Sequence, residues 1–383
     1  MRTFKIIVAL ITFMAINRTI WAGNPQLDSV SKIISTRRST ESRYQLQKYA
    51  IFNNNNDFAV VSSYTESGDW GRLFDWNISV IDSKGSVKIN NKYLGRFHTL
   101  FTDEKYPSQT VIQLNGGNII AFGQWHFNTG GEMFISVVNS KGEIVKNDSI
   151  LTNLGPKPQL IKNLNNDVFV IGGYNGYWEV RKVYPYIEKK VQYFHAPNGL
   201  GDDFIALPIN NEQILMFVRP WPHSTEYQSN ELGCFKINYM GNVYSTISKI
   251  DIDQYAFRVI DNAYLPGGAR RISDEKNIVG LDIAKTANGE YILSVNNWDQ
   301  NDSICIYQIK LNKAGEPIKP DKLEYVKPIS LEETAFPKNT KIGIASWAYK
   351  NNDSDKVDSK QYWVFWGFDK KTNFYWTRLP VDK

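Results

Sequence analysis

One pattern of apolar and polar positions recurs along the chain. A short apolar run meets a tight Asn/Gly turn, a second apolar run follows, and a third run ends in a hairpin that contains glycine. The clearest copy is TVIQLNGGNIIAFGQW (110–125) followed by FISVVNSKGEIV (134–145), with related copies at 76–87, 234–243, 286–298 and 307–318. Apolar runs of this length, separated by turn residues, indicate antiparallel β-strands joined by hairpins.

The copies return at intervals of about 50 residues, which is typical of one supersecondary unit repeated around a ring or along a solenoid. Taking the run before each Asn/Gly turn as the first strand of a unit, we place first strands near residues 45, 107, 156, 203, 279 and 342. We therefore expect six units of four antiparallel strands. The stretch 254–277 is too short for a whole unit and is interpreted as an insertion. A seventh unit is the alternative, if that stretch pairs as a degenerate sheet.

The two ends of the chain predict a closure. Residues 361–368 and 373–380 form the second and third strands of the last unit, which then lacks an outer strand. SVSKIIST (29–36) near the N-terminus can form a strand and has no partner of its own. Pairing this segment with the last unit would fasten a ring and cover an exposed sheet edge. The alternative is a leader that pairs with nothing.

This arrangement resembles the β-propeller repeat proteins that bacteria secrete. The resemblance lies in the order of strands and turns, and it covers almost the whole chain after the leader. It implies an all-β fold, a single β-propeller domain over residues 23–383 with six blades (or seven), closed by the N-terminal strand. The specific blade motifs of the kelch, WD and sialidase families are missing, and Trp298-Asp299 is a single occurrence outside the WD position.

The first residues have the composition of an export signal. Arg2 and Lys5 precede an apolar run at 6–16, and Ala22 supplies a small residue for cleavage. The apolar run is too short to span a bilayer, which needs about 20 residues. We predict a signal peptide at 1–22 and a secreted or periplasmic protein with no membrane span after cleavage. An uncleaved N-terminal anchor is the alternative.

Composition narrows the class of partner. The net charge is +5, and basic and acidic residues are interspersed, whereas a nucleic-acid surface needs a clustered basic face. Cys234 and Cys305 are the only cysteines. Their spacing fits either a bridge between neighbouring units or two buried thiols, and the fold does not depend on a disulfide framework. We expect a monomer without a cofactor or metal, whose partner is a glycan or an envelope or extracellular protein.

Tryptophans mark one side of the predicted disc. Because strands alternate in direction, the loops between second and third strands lie on the same side as the connections between units; we call this side the loop face. Tryptophans end or follow the second strand of every unit, at Trp70, Trp125, Trp178, Trp221, Trp298 and Trp366. An indole suits stacking on sugar C–H faces while neighbouring Asn and Asp side chains bond hydroxyls. The alternative is that each tryptophan packs between blades.

The four histidines map to the same side. His98 and His195 lie in connections between units, and His126 and His223 lie in loops between second and third strands. One metal site built from all four is not expected, because the two pairs belong to units that are not adjacent. Polar rim positions explain their placement, and a general-base or metal role for His126 or His223 is the alternative.

Charged residues near the loop face suggest further chemistry. The planar guanidinium groups of Arg219 and Arg270 suit bidentate pairing with the carboxylate of a uronic or sialic acid. Asp202 and Asp203 could supply a glycosidase carboxylate, but adjacent residues of a strand point in opposite directions. A second carboxylate from another unit would be needed, and the sequence nominates none.

These patterns favour a binding function over a catalytic one. The main hypothesis is an exported non-enzymatic binding protein that recognises a glycan or a protein on the loop face. The alternatives are a carbohydrate-active enzyme (polysaccharide lyase or glycoside hydrolase) and a periplasmic platform for protein interaction or toxin inhibition. No catalytic residue is nominated, and the candidate binding residues are Trp70, Trp125, His126, Trp178, Arg219, Trp221, His223, Trp298 and Arg270.

Overall fold

The structure is a computed structural model, and it describes eighteen stretches of the chain. These are residues 44–54, 57–66, 73–81, 87–98, 111–125, 131–152, 154, 158–174, 176–195, 197–221, 223–244, 248–260, 278–286, 288–298, 304–326, 341–350, 361–368 and 374–380. No helix within these stretches has the length and apolar composition needed to cross a membrane.

Three four-stranded sheets form the first half of the described chain, and each follows sequence order. The first contains β1 (Tyr44–Asn54), β2 (Asp57–Glu66), β3 (Leu73–Ile81) and β4 (Val87–His98). The second contains β5 (Val111–Gln113), β6 (Ile119–Trp125), β7 (Gly131–Val138) and β8 (Ile144–Thr152). The third contains β9 (Gln159–Lys162), β10 (Val168–Tyr174), β11 (Tyr177–Tyr184) and β12 (Gln192–His195).

Three further sheets complete the described residues. The fourth contains β13 (Leu200–Pro208), β14 (Gln213–Pro220), β15 (Glu231–Asn238) and β16 (Ser248–Asp251), followed by a one-turn helix α1 (Ile252–Tyr255). The fifth contains β17 (Ala256–Ile260), β18 (Ile278–Lys285), β19 (Tyr291–Trp298), β20 (Ile304–Leu311) and β21 (Glu324–Val326). The sixth contains β22 (Lys341–Lys350), β23 (Gln361–Phe368) and β24 (Phe374–Pro380).

The predicted all-β architecture of four-stranded antiparallel sheets is confirmed. The first strands begin within a few residues of their predicted positions, at Tyr44, Val111, Gln159, Leu200, Ile278 and Lys341. Within the described residues the last sheet has the three strands predicted from the C-terminal segment. The proposed clasp at 29–36 and the signal peptide lie outside the described residues.

The interpretation of 254–277 as an insertion is wrong for its first part. Residues Ala256–Ile260 form β17, which pairs antiparallel with β20 and parallel with β21. Asp251 caps α1 by accepting from the backbone N–H of Asp253 and Gln254, and the helix turns the chain from β16 into β17. In the chain, β17 precedes β18, the first strand of the fifth sheet. In space, β17 is one of the outer strands of that sheet. Residues 261–277 lie outside the described part of the chain.

A single turn type explains the sequence repeat. In each turn that the structure describes, the first residue accepts a hydrogen bond from the backbone N–H three residues on and donates its own N–H to the carbonyl four residues on. The third residue after the start has a positive φ, which favours Gly or Asn. Within the described residues, six such turns start at Leu114, Asn139, Asn163, Asn238, Thr286 and Asn312, and their left-handed residues are Gly117, Gly142, Asn166, Gly241, Gly289 and Gly315. The turn of the copy at 76–87 lies outside the described residues.

Asparagine at the start of the turn stabilises it further. The Oδ1 of Asn238 accepts from the backbone N–H of Met240 at 2.9 Å and of Asn242 at 2.8 Å. Asn139 and Asn312 make the same pair of bonds. The Asn and Gly letters of the repeat are thus the side-chain acceptor and the left-handed residue of one hairpin turn.

The central strands are buried on both faces, because the sheets stack face to face. Met216 and Val218 of β14 pack toward the third sheet, whereas Leu215 and Phe217 pack toward the fifth. This two-sided burial accounts for the nearly continuous apolar run QILMFV at 213–218. A third core cluster, which includes Ile120, Val137 and Val170, joins the second sheet to the third.

First strands of consecutive sheets lie next to one another. Contacts join β1 to β5, β5 to β9, β9 to β13, β13 to β18 and β18 to β22, and β22 also contacts β1. Lys162 of β9 reaches the second sheet, where its Nζ donates to the Gln113 carbonyl at 2.7 Å and to Oδ1 of Asn115 at 3.1 Å. Burial lowers the pKa of Lys162 below its usual value.

Both cysteines are buried, and they are not joined in a disulfide. Cys234 belongs to the core cluster between the fourth and fifth sheets. Burial raises the pKa of its thiol to about 12, so the thiol stays protonated at neutral pH.

Candidate functional site

The loop-face end of the fourth sheet gathers three of the predicted residues, Arg219, Trp221 and His223. An irregular pairing of β13 with β14 shapes this end. Leu200 pairs with Pro220 and Phe204 with Val218, so that residues 201–203 lie opposite the single residue Arg219. Such bulges change the direction of the side chains that they carry.

The bulge brings Asp203 and Arg219 together. Nη2 of Arg219 lies 2.7 Å from Oδ2 of Asp203, and the two side chains are 19% and 16% exposed. The short distance and partial burial make this a charge-assisted contact rather than a solvated surface pair. Arg219 therefore already has a carboxylate partner within the chain, contrary to the expectation that it awaits one from a ligand.

Trp221 lies beside the bulge and is 39% exposed. The backbone N–H of Trp221 donates to the Gly199 carbonyl at 2.9 Å. This bond connects the start of the loop to the residue before β13. A Cβ at Gly201 would lie 3.7 Å from Cδ2 of the indole and 3.1 Å from the Arg219 carbonyl. A Cβ at residue 201 would therefore touch the indole at an ordinary van der Waals distance and crowd the Arg219 carbonyl, so glycine at this position relieves the backbone of the bulge rather than the indole.

The loop that follows Trp221 is anchored at its far end. Tyr227 is buried in the core between the third and fourth sheets, and Nζ of Lys249 lies 4.7 Å from its ring centroid. The backbone carbonyl of Asn230 accepts from the backbone N–H of Ile252, and its side-chain Nδ2 donates to Oδ1 of Asp251 at 3.1 Å.

The surroundings of Tyr227 change the pKa of its phenol. Burial first, and then the carboxylates of Glu226 and Glu231, raise this pKa to about 12. Tyr227 is thus buried, whereas Trp221 and His223 at the start of the loop are exposed.

A second exposed aromatic group lies at the same end of the third sheet. The rings of Tyr177 and His195 are in contact, with centroids 4.6 Å apart, and the two residues face each other across β11 and β12. Tyr193 lies two residues before His195 on the same face of the strand and is 61% exposed. Sequence analysis did not select Tyr177 or Tyr193. The signal was the alternation in QYFH, where Phe194 is buried between two exposed neighbours.

Trp178 is a correction to the predicted site. Its polar surroundings suggested exposure, but the side chain is completely buried. The indole packs edge-on against Phe204, with ring centroids 4.5 Å apart, and against Phe194. Alternation along β11 directs Tyr177 outward and Trp178 inward, so the structural alternative holds for this tryptophan.

The remaining candidates are placed only in part. Trp125 and Trp298 are the last residues of β6 and β19, where a second strand was predicted to end. His98 and His195 were predicted in the connections between units, and they are the last residues of the fourth strands β4 and β12. Trp70, His126 and Arg270 lie outside the described residues. Within the described residues, no three His, Cys, Asp or Glu side chains are grouped to hold a metal ion.

No protein-family model and no curated protein sequence matches this chain. Solved structures are weakly similar. A protein of unknown function from Dyadobacter fermentans matches with a TM-score of 0.43 and 9% identity, over 88% of this chain and 94% of that one. A GH43 β-1,3-galactosidase matches with a TM-score of 0.39 and 12% identity, over 85% and 74%.

An endo-arabinase from Bacteroides thetaiotaomicron also matches, with a TM-score of 0.36 and 10% identity, over 73% of this chain and 96% of that one. Likeness at these TM-scores is too weak to assign a shared activity to the chain.

Proposed function

We propose that the six sheets are the blades of a closed β-propeller. Support comes from the contacts between the first strands of consecutive sheets, together with the contact of β22 with β1. Three of the left-handed glycines give further support, because they pack on the preceding sheet. Gly142 of the second sheet lies against Ile89, Gly241 of the fourth against Phe194, and Gly315 of the fifth against Leu215. A repeated contact of one sheet on the one before it is what radial stacking requires.

The function proposed for this disc is the binding of a glycan on the loop face, without catalysis. The observation that carries the proposal is the exposed indole of Trp221 beside the strand bulge that holds the Asp203–Arg219 ion pair. Aromatic faces stack on the C–H surface of a sugar, and charged side chains beside them bond its hydroxyls. Tyr177, Tyr193 and His195 would extend the binding surface over the neighbouring sheet. We also propose a secreted or periplasmic location, because residues 1–22 have the composition of an export signal.

A carbohydrate-active enzyme is the second candidate. It is favoured by the partly buried carboxylate of Asp203 at a strand bulge. A glycosidase needs a second carboxylate at about 5 to 9.5 Å from the first. Arg219 holds Asp203 in an ion pair, which suits a positioning role better than that of a nucleophile. A platform for an envelope or extracellular protein remains the third candidate, since the same aromatic side chains could contact a protein.

The test is a binding panel of polysaccharides and oligosaccharides read by isothermal titration calorimetry. We expect Trp221→Ala to weaken binding about tenfold or more, in keeping with the loss of one aromatic platform. Tyr325→Ala removes another exposed aromatic side chain, on β21 of the fifth sheet, and serves as the control. Equal affinity of Trp221→Ala and the parent protein would contradict the proposal. Release of reducing or unsaturated ends from the same panel would instead favour the enzyme.

A further inference from the structure

The Asp203–Arg219 ion pair affects which ligand charge this site can accept. An arginine on the loop face suggests recognition of an acidic sugar when only the sequence is considered. In the structure, Nη2 of that arginine lies 2.7 Å from a carboxylate oxygen of the same sheet. The positive charge is therefore compensated before any ligand binds.

Displacing Asp203 would be unfavourable. Both side chains are at least four-fifths buried, and separating a pair of this kind leaves a charge that is neither hydrated nor paired. The bulge at 201–203 also places the Asp203 backbone opposite Arg219. A ligand carboxylate that competed for Arg219 would also lie next to the charge of Asp203.

The neighbouring loop adds further negative charge. Glu226 and Glu231 flank the anchor residue Tyr227, and Asp251 and Asp253 bind Asn230. Lys249 is engaged by this loop, since its Nζ donates to the Glu226 carbonyl and lies 3.5 Å from the Glu231 carboxylate. Among these described residues, four carboxylates thus stand against one ammonium group, and their net negative charge disfavours an anionic ligand at Trp221.

We propose that this site selects uncharged glycans and discriminates against uronic and sialic acids. The inference rests on the proposed glycan binding and specifies its substrate class. An Asp–Arg pair places acceptors and donors side by side, and adjacent ring hydroxyls, each a donor and an acceptor, match that arrangement. The indole of Trp221 supplies the apolar contact for the sugar face.

The experiment compares matched neutral and acidic ligands with the whole protein. Suitable pairs are carboxyl-reduced and native polygalacturonate, xylan and glucuronoxylan, and lactose and sialyllactose. We expect the neutral member to bind about tenfold or more tightly than its acidic counterpart, with an affinity that is flat between about 0.05 and 0.5 M salt. Asp203→Asn keeps the shape of the side chain and removes its charge, so it should reduce this discrimination by raising the affinity for the acidic member.

The outcomes separate the two proposals. Tighter binding of the acidic members, with affinity falling as salt rises, would overturn the selectivity and leave glycan binding intact. Binding of no pair, with Trp221→Ala indistinguishable from the parent, would overturn glycan binding itself. If Asp203→Asn fails to fold, as judged by circular dichroism, the comparison of matched ligands on the parent protein still decides the selectivity.

Discussion

The side-chain amide of Gln159 holds the backbone of Ala206 through two hydrogen bonds. Its Nε2 donates to the Ala206 carbonyl at 3.0 Å, and its Oε1 accepts from the Ala206 N–H at 2.8 Å. Gln159 begins β9 of the third sheet, and Ala206 lies in β13, an edge strand of the fourth sheet. The amide thus satisfies both the backbone N–H and the backbone C=O of one residue on this edge, as a neighbouring strand would.

Replacing Gln159 with Met should destabilise the protein by about 2–4 kcal/mol, because a buried N–H and a buried C=O lose their partner together. Chemical denaturation, followed by tryptophan fluorescence, measures the change in the free energy of unfolding. Gln228→Met is the matched control at an exposed position and should change stability by less than about 0.5 kcal/mol. Equal stability of the two variants would show that this contact does not hold the sheets together.

Gly142→Ala should destabilise the protein for two reasons. Residue 142 has a φ of +81°, and a Cβ there would lie 3.0 Å from Cγ2 of Ile89 in the first sheet. The left-handed backbone alone costs a non-glycine residue about 1–2 kcal/mol, and the close contact adds to that cost.

Two other glycines separate these contributions. Gly117 has a φ of +86° but no atom closer than 3.9 Å to its Cβ position, so Gly117→Ala should show the backbone cost alone. Gly116 has open space around its Cβ position, and Gly116→Ala should be neutral or slightly stabilising. If Gly142→Ala is no less stable than Gly117→Ala, the close contact with Ile89 does not contribute to the stability of sheet stacking.

The two tryptophans Trp178 and Trp221 should respond in opposite ways to truncation. Trp178→Ala leaves a cavity in the core between the third and fourth sheets and should cost about 3–5 kcal/mol. Trp221→Ala should change stability by less than about 1 kcal/mol, since the indole is partly exposed. Thermal unfolding of both variants provides the comparison, and a large loss of stability in Trp221→Ala would assign that side chain to packing.

Tyr227 should make the protein less stable in alkaline solution. Its pKa rises from an ordinary value of 10.0 to about 12 on folding, so the folded state keeps a proton that the unfolded state releases. The stabilisation is fully present below pH 10.0 and is lost as the pH rises through about 12, and it amounts to about 1–3 kcal/mol.

Tyr227→Phe has no proton to lose and should retain more of its neutral-pH stability above pH 10.0 than the parent does. Urea unfolding at a series of pH values tests this expectation. Tyr193→Phe, at an exposed position, controls for the removal of a phenol. A parallel decline of the parent and Tyr227→Phe would refute the assignment.

The repeat could be predicted from sequence because one turn generates it. Asn238 and Gly241 occupy the positions of a side-chain acceptor and a left-handed residue, and the apolar runs between such turns alternate toward two neighbouring sheets. Local chemistry of this kind is written in consecutive residues, so the first strands were placed to within a few residues.

Sequence could not predict features that depend on pairing between distant segments. The contact of Asp203 with Arg219 needs a bulge whose extent depends on how β13 aligns with β14. The entry of β17 into the fifth sheet depends on its pairing with β20, about 50 residues farther along the chain. Trp178 looked exposed because its neighbours are polar, whereas the pleat of β11 decides its direction.

The strand β17 also bears on how the molecule comes apart. It is continuous in the chain with the last strand of the fourth sheet, yet its hydrogen bonds lie in the fifth. The one-turn helix α1 is therefore the whole covalent link between the outer strands of the two sheets. We therefore expect the fourth and fifth sheets to unfold together as one cooperative unit.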